Sequence, residues 1–148
     1  MAIIRKMEAR DIPEVYRLGT NEPRFRIGSG DAKFWTIAQL ERWVASDDVL
    51  LVAETNGKVI GYALSQYHSP TRKATFENLH VAEGQRGIGL AHGRTAYSLA
   101  SKMLVALEAK GAEYICGTVE PDNKVNIKLL EYIGLRKGKQ VIWMDKTV

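Results

Sequence analysis

Between Thr75 and Leu107 the chain runs from ATFENLHVAE through a tight glycine turn, GQRGIGLA, into a long segment of helical character. That order predicts a strand, a sharp reversal and a helix, so the fold must hold a helix start against the end of a strand. Gly84, Gly87 and Gly89 let main-chain amides approach a ligand closely. The amides left unpaired at a helix start, with the helix dipole, favour an anion there. Arg86 adds a fixed cation whose fork geometry suits phosphate. The turn therefore reads as a pyrophosphate cradle.

The rest of the chain can be arranged around this unit. Ile3 and Ile4 open a short strand, and Ala9 to Leu18 is expected as a helix that Asp11 can cap, with Pro13 in its first turn. Gly19 to Lys33 is irregular and long enough to expect a functional role. Phe34 to Ala45 has helical periodicity, with Ile37, Leu40, Trp43 and Val44 on one side. Val49 to Glu54 and Lys58 to Tyr67 are strands joined by Asn56-Gly57, a strong hairpin signal, and a third strand follows over about Ala74 to Val81. The long helix should extend from Gly87 to about Lys110, with Leu90, Tyr97, Leu104 and Leu107 at helical spacing and Gly111 ending it. Tyr114 to Val119 is expected as a strand, Asn123 to Ile133 as a helix and Gln140 to Asp145 as a last strand. No repeat or linker divides residues 1–148, so the sequence predicts a single mixed α/β domain.

Charge and composition narrow the partners. With 21 basic and 17 acidic residues dispersed along the chain, the net charge of +4 suits an anionic ligand but lacks the basic stripe expected for nucleic acid. A single cysteine, Cys116, excludes an internal disulfide and a cysteine-based metal cluster, and no metal site is expected. No apolar run reaches the roughly 18 residues of a spanning helix, and Met1 to Arg10 has no signal-peptide core, so neither a membrane partner nor export is expected and the chain reads as cytoplasmic.

Glycine turns of this type serve several ligands. A P-loop would need Lys and Ser or Thr where Leu90 and Ala91 stand, and a dinucleotide fingerprint would need a small residue where His92 stands. The stretch resembles instead the acetyl-CoA motif of the GCN5-related N-acetyltransferase (GNAT) superfamily, Q/R-x-x-G-x-G/A, read here as G-Q-R-G-I-G with Gly84 at the usual Gln or Arg position. A second segment, PDNKVNIKLLEYIGLRK, resembles the later motif N-x-x-A-x-x-L-Y-E-x-x-G-F, with Asn123, Leu129, Glu131 and Gly134 in register and Leu135 for the Phe.

The resemblance implies a mixed, mostly antiparallel sheet flanked by helices on both faces, and acetyl-CoA as co-substrate. It implies that Gly84, Gln85, Arg86, Gly87, Ile88, Gly89, Leu90 and Ala91 wrap the pyrophosphate. The pantetheine arm, which carries amides, can pair with Leu79 to Val81 as if it were a further strand, and Asn123 is expected to bond the same arm. The partners implied are coenzyme A and an amine acceptor, and a homodimer is a family expectation. The reaction implied is direct transfer of acetyl to a primary amine, of a small molecule or amino acid or of a protein, with no covalent enzyme intermediate. A non-enzymatic acyl-CoA-binding or regulatory module is the alternative, because the family's usual acid, a Tyr, is Leu130 here and Tyr132 lies about 200° further round the helix.

An amine nucleophile must first lose a proton. Glu77 is the leading base, a carboxylate on a strand expected to be covered on both faces, in a run F-E-N-L-H-V that resembles the E-D-x-Y-V of diamine-type acetyltransferases. The opposing reading is a water-facing Glu, or one paired with Arg72 or Lys73. His80 is the second candidate, set against a satisfied and partly buried histidine. His92 reads as a surface group near the phosphates and Cys116 as a small core residue. A main-chain amide near Val81 can stabilise the oxyanion. Acceptor selectivity is expected from Gly19 to Trp35 and from Tyr67 and His68, with Phe25, Phe34 and Trp35 as an aromatic wall or as core.

Overall fold

The computed structural model describes residues 1–26, 28, 34–84 and 92–148, with His92 by its backbone only. In chain order the elements are β1 (Ile3–Lys6), α1 (Ile12–Thr20), α2 (Ile37–Val44), β2 (Leu50–Thr55), β3 (Lys58–His68), β4 (Lys73–Val81), α3 (His92–Ala109), β5 (Tyr114–Gly117) and α4 (Lys124–Tyr132). The five strands form one sheet in sequential order. The first three pairings are antiparallel, and β5 runs parallel to β4. The turn between β2 and β3 has φ of 51° at Asn56 and 74° at Gly57, two positive angles that match the twist of a two-residue hairpin.

Two cores cover the two faces, as the period of a strand requires. Val52, Tyr62 and Leu64 point to one side and pack with Ile12, Val15 and Leu18 of α1 and Leu40 and Trp43 of α2. Ala53, Ile60, Ala63, Ala74 and Val81 point to the other and pack with Leu99, Met103 and Leu107 of α3. The buried stripe of α3 is therefore Leu99, Ala100, Met103 and Leu107, whereas Tyr97 is exposed and Leu104 only partly covered. Of the expected stripe, Leu107 faces the sheet, Tyr97 and Leu104 lie off the buried face, and Leu90 lies outside the described residues. Tyr97 lies instead edge-on to Tyr132 of α4, with ring centroids 5.6 Å apart.

Other boundaries differ from the sequence reading for identifiable reasons. The helix expected from Phe34 starts at Ile37, because Thr36 caps it: Gln39 N donates to Thr36 Oγ1 at 3.2 Å and Thr36 N donates to Gln39 Oε1 at 2.8 Å. Asp11 makes no side-chain cap of α1. Its carboxylate accepts from both terminal nitrogens of Arg5, at 2.7 and 2.8 Å, and from Glu8 N at 2.8 Å, while Arg5 also donates to Glu54 on β2. Asp11 is 4 % exposed, so this cluster fastens the first strand and the helix entry to the sheet through a nearly dry ion pair. Burial alone would raise the Asp11 carboxyl, but Arg5 and the Glu8 amide hold it below its ordinary value of 3.8.

The last expected strand is not in the sheet. From residue 135 onward the backbone joins no ladder and every residue but Leu135 is exposed or nearly so, Gln140 and Asp145 included. The run has strand character, but it pairs with none of the described strands. Cys116 is likewise only half covered rather than part of the core, because β5 is an edge strand. Among the described residues, no helix is long and apolar enough to cross a membrane.

Candidate active site

Two irregularities of β4 coincide at one residue. On the β3 side the register passes from Leu64 opposite Asn78 to Ser65 opposite Phe76, leaving Glu77 as the extra residue of a β-bulge. On the β5 side pairing covers only Lys73 to Phe76, matched with Tyr114 to Gly117. From Glu77 onward β5 no longer accompanies β4. The strands thus part after Phe76, several residues before β4 ends at Val81.

A bulge re-aims its side chain, and the parting opens space beside it. Glu77 is partly buried, and among the described residues it has no ion-pair partner. The two cations that could have neutralised it are engaged elsewhere: Arg72 bonds Glu113, and Lys73 Nζ lies 6.0 Å from the ring centroid of Tyr114. Burial, with the like charge of Asp48 second, raises the Glu77 carboxyl above its ordinary value of 4.5. Asp48 is itself held in place, accepting from Trp43 Nε1 at 3.0 Å and from Tyr67 N at 3.0 Å.

His80 opposes Tyr62 across the ladder and points to the α1–α2 face, opposite to Leu79 and Val81, which join the α3-side core. It is buried, with Nδ1 3.7 Å from Glu22 Oε2. Phe25 stands edge-on to the His80 ring at 5.5 Å, Tyr62 lies tilted against it at 5.9 Å, and Phe34 bridges Phe25 and Tyr62 at 6.1 and 6.0 Å. Phe25 and Trp35 are partly buried against this cluster and Phe34 is fully in it, so these aromatic residues pack as core. Among the described residues the buried Tyr62 hydroxyl has no hydrogen-bond partner, and desolvation, with Glu22 second, raises its pKa.

Gly61 permits the close approach of β3 and β4 here: a Cβ on it would sit 2.7 Å from the carbonyl oxygen of His80. On the α3 side a narrow cavity is lined by Phe76, Asn78, Leu79, Ala100 and Met103, and among the described residues the buried Asn78 Oδ1 has no hydrogen-bond partner. Sequence reasoning did not find Glu22, Tyr62 or Asn78. A lone Asn or Tyr inside a strand carries no signal of an unsatisfied atom, and Glu22 reaches His80 only through the fold.

At the far side of the opening, Asn123 starts α4 and its Oδ1 accepts from Asn126 N at 3.3 Å. Arg24, from the short 3-10 turn over Pro23–Phe25, reaches across to Glu120 and Asp122 in the β5–α4 loop, at 2.5 and 3.1 Å. Leu130 is partly covered, and Tyr132 is exposed against Tyr97. Gly84 leaves β4 with φ of 79°. Gln85, Arg86, Gly87, Ile88, Gly89, Leu90 and Ala91 lie outside the described residues, as does the side chain of His92. Among the described residues no group of His, Cys, Asp or Glu side chains is arranged to hold a metal ion.

The fourth and fifth strands of a mixed sheet thus part beside a bulged carboxylate, with α3 the next described element of the chain. The sequence matches the acetyltransferase (GNAT) family over residues 12–135, and the chain belongs to that family of N-acetyltransferases. No curated protein matches it significantly. Among solved structures it is similar to a transcriptional regulator from Bacillus halodurans C-125, at TM-score 0.78 and 13 % identity over 99 % of this chain and 100 % of that one. It is also similar to AAC(6')-Iy in complex with a CoA bisubstrate analogue, at TM-score 0.73 and 20 % identity over 100 % and 99 % of the two chains. The ribosomal-protein-S18-alanine N-acetyltransferase from Escherichia coli gives TM-score 0.70 and 22 % identity over 94 % and 80 %.

Proposed function

We propose that the protein transfers acetyl from acetyl-CoA directly to the primary amine of a small, positively charged acceptor, with Glu77 as the base. The observation that carries this reading is the coincidence at Glu77 of the bulge, the parting of β4 from β5 and a carboxylate with no ion-pair partner among the described residues. A group in that position can take a proton from an ammonium that enters the opening.

The donor arm would lie along β4 from Glu77 onward, where β5 no longer pairs with it, its amides pairing with the main chain around Leu79 as a strand would. Asn78 Oδ1, buried and unpaired among the described residues, is an acceptor in want of an N–H near the same stretch. Asn123 would add the donor of its side-chain amide from the start of α4. Gly84, Gln85, Arg86, Gly87, Ile88, Gly89, Leu90 and Ala91 would hold the pyrophosphate. When the amine attacks the thioester carbonyl, a main-chain amide near Val81 would stabilise the oxyanion, and the C–S bond breaks to release coenzyme A. With Leu130 at the usual Tyr position, the second proton of the attacking nitrogen passes through water to the thiolate, a fair leaving group that needs little assistance.

The acceptor side supports a cationic small molecule. Glu22 and Glu77 supply negative charge, and the partly buried Phe25 and Trp35 offer aromatic faces that attract cations. The nearby structures include acetyltransferases that act on aminoglycosides and on a ribosomal protein, so that amine transfer within this fold accommodates both kinds of acceptor.

Calorimetric titration of acetyl-CoA into Arg86→Glu and Gly87→Trp tests the cradle. Loss of charge-assisted phosphate contacts should weaken binding by roughly 10- to 100-fold. Unchanged affinity in both variants removes the pyrophosphate turn from the reading.

A further inference from the structure

Tyr97 of α3 and Tyr132 of α4 stand edge to face, with ring centroids 5.6 Å apart. Among the described residues every other ring pair belongs to the cluster on the α1–α2 face of the sheet. This pair lies on the α3 side and at the surface, with Tyr132 79 % and Tyr97 42 % exposed. Rings so open add little to the core, and a free ring face can take a flat ligand.

The charges beside the pair are of one sign. Arg94 lies three residues before Tyr97, and Lys128 four residues before Tyr132, so each cation neighbours its tyrosine on the helix surface. Both cations are exposed, and neither has an ion-pair partner among the described residues. The first turns of α3 and α4 carry no acidic residue, and Glu131, the one carboxylate of α4, pairs with Lys137 at 3.3 Å. Open rings for a base and unengaged cations for a phosphate are the chemistry that a phosphorylated nucleoside requires.

Position favours the same ligand. Residues 84–91 precede α3 directly in the sequence, and Tyr97 lies five residues beyond the first residue of that helix, about 8 Å along its axis. Arg94 falls between the helix start and Tyr97. On α4, Lys128 likewise falls between Asn123, beside the opening, and Tyr132. A donor whose pyrophosphate sits at the start of α3 therefore meets the two cations first and the two rings beyond them.

We propose that Tyr97 and Tyr132 hold the purine of coenzyme A, the Tyr132 ring stacking on the base while Arg94 and Lys128 face the phosphate on its ribose. The proposal rests on the reading of the protein as an acetyl-CoA enzyme and adds a site for the nucleoside half of the donor, which neither the glycine turn nor the edge of β4 contacts.

Calorimetric titration of coenzyme A, and of 4′-phosphopantetheine, which lacks the nucleoside, tests it in the full chain. Tyr132→Ala should weaken coenzyme A binding by roughly 5- to 10-fold, the lower end of what one base stacked on an aromatic ring contributes, and leave phosphopantetheine unchanged. Tyr132→Phe keeps the ring face and should bind both ligands as the parent does. If Tyr132→Ala binds coenzyme A as tightly as the parent, or loses phosphopantetheine to the same degree, the rings do not hold the base, and the proposal falls while acetyl-CoA binding stands. If the parent binds neither ligand, the acetyl-CoA reading itself fails and the nucleoside site fails with it.

Discussion

Glu77→Gln is expected to lower turnover by on the order of 100-fold or more, the usual contribution of a positioned base, while acetyl-CoA affinity stays within about twofold. The same substitution should leave the protein as stable as before, or more so, at neutral pH. Glu77 has its carboxyl raised by burial and by Asp48. A raised carboxyl contributes stability that is fully present below the unfolded-state value and is lost as pH rises through the folded one. At pH 7 the ionised form is therefore a cost that glutamine removes, and the advantage of the variant should vanish below about pH 4.5. The acidic limb of the rate profile, displaced upward from the ordinary glutamate range, should disappear with the carboxylate. Steady-state kinetics across pH, paired with thermal melts, separate the roles: a variant that melts lower and keeps its pH profile would mark Glu77 as structural.

The second large effect lies far from the chemistry. Asp11→Ala leaves Arg5 with its guanidinium facing Glu54 alone, in a site where Asp11 is 4 % and Arg5 22 % exposed on the side chain. Removing one partner of a buried pair costs about 3–5 kcal/mol, and the partial solvation of Arg5 places the expectation near the lower figure, at about 2–3 kcal/mol. The pH dependence has the opposite sign to that of Glu77. Because the folded Asp11 carboxyl is depressed, its contribution is present above the unfolded value of 3.8 and is lost as pH falls through the folded one. Denaturant titrations at pH 7 and at pH 3 measure both statements. Equal stability of variant and parent at pH 7 would show that the cluster is decorative.

Much of the element order is legible in the residues themselves. Asn56-Gly57 announces its hairpin with two positive φ angles, and Gly111 ends α3 at the expected place, with φ of 100°. The start of α2 was also written locally, in the Thr36–Gln39 pair, but Phe34 and Trp35 extend the apolar pattern upstream and hide it. What could not be read depends on partners distant in sequence. The bulge at Glu77 is a property of β4 against β3, and the parting after Phe76 is a property of β4 against β5, so neither has a local signature. Residues 140–145 illustrate the same limit: their composition predicts a strand, but whether a strand exists depends on which edge it meets. The candidate base was legible for a complementary reason, since a carboxylate inside a strand pattern is conspicuous wherever it points.

The central claim is acetyl transfer to an amine at the opening beside Glu77. The most direct measurement is thiol release from acetyl-CoA in the presence of a panel of polyamines, amino acids, aminoglycosides and N-terminal peptides, run beside calorimetric titration of acetyl-CoA alone. Saturable binding, with release that depends on a cationic small amine and collapses in Glu77→Gln, is the predicted result. Absence of binding, or binding with no release from any acceptor in the panel, would contradict it.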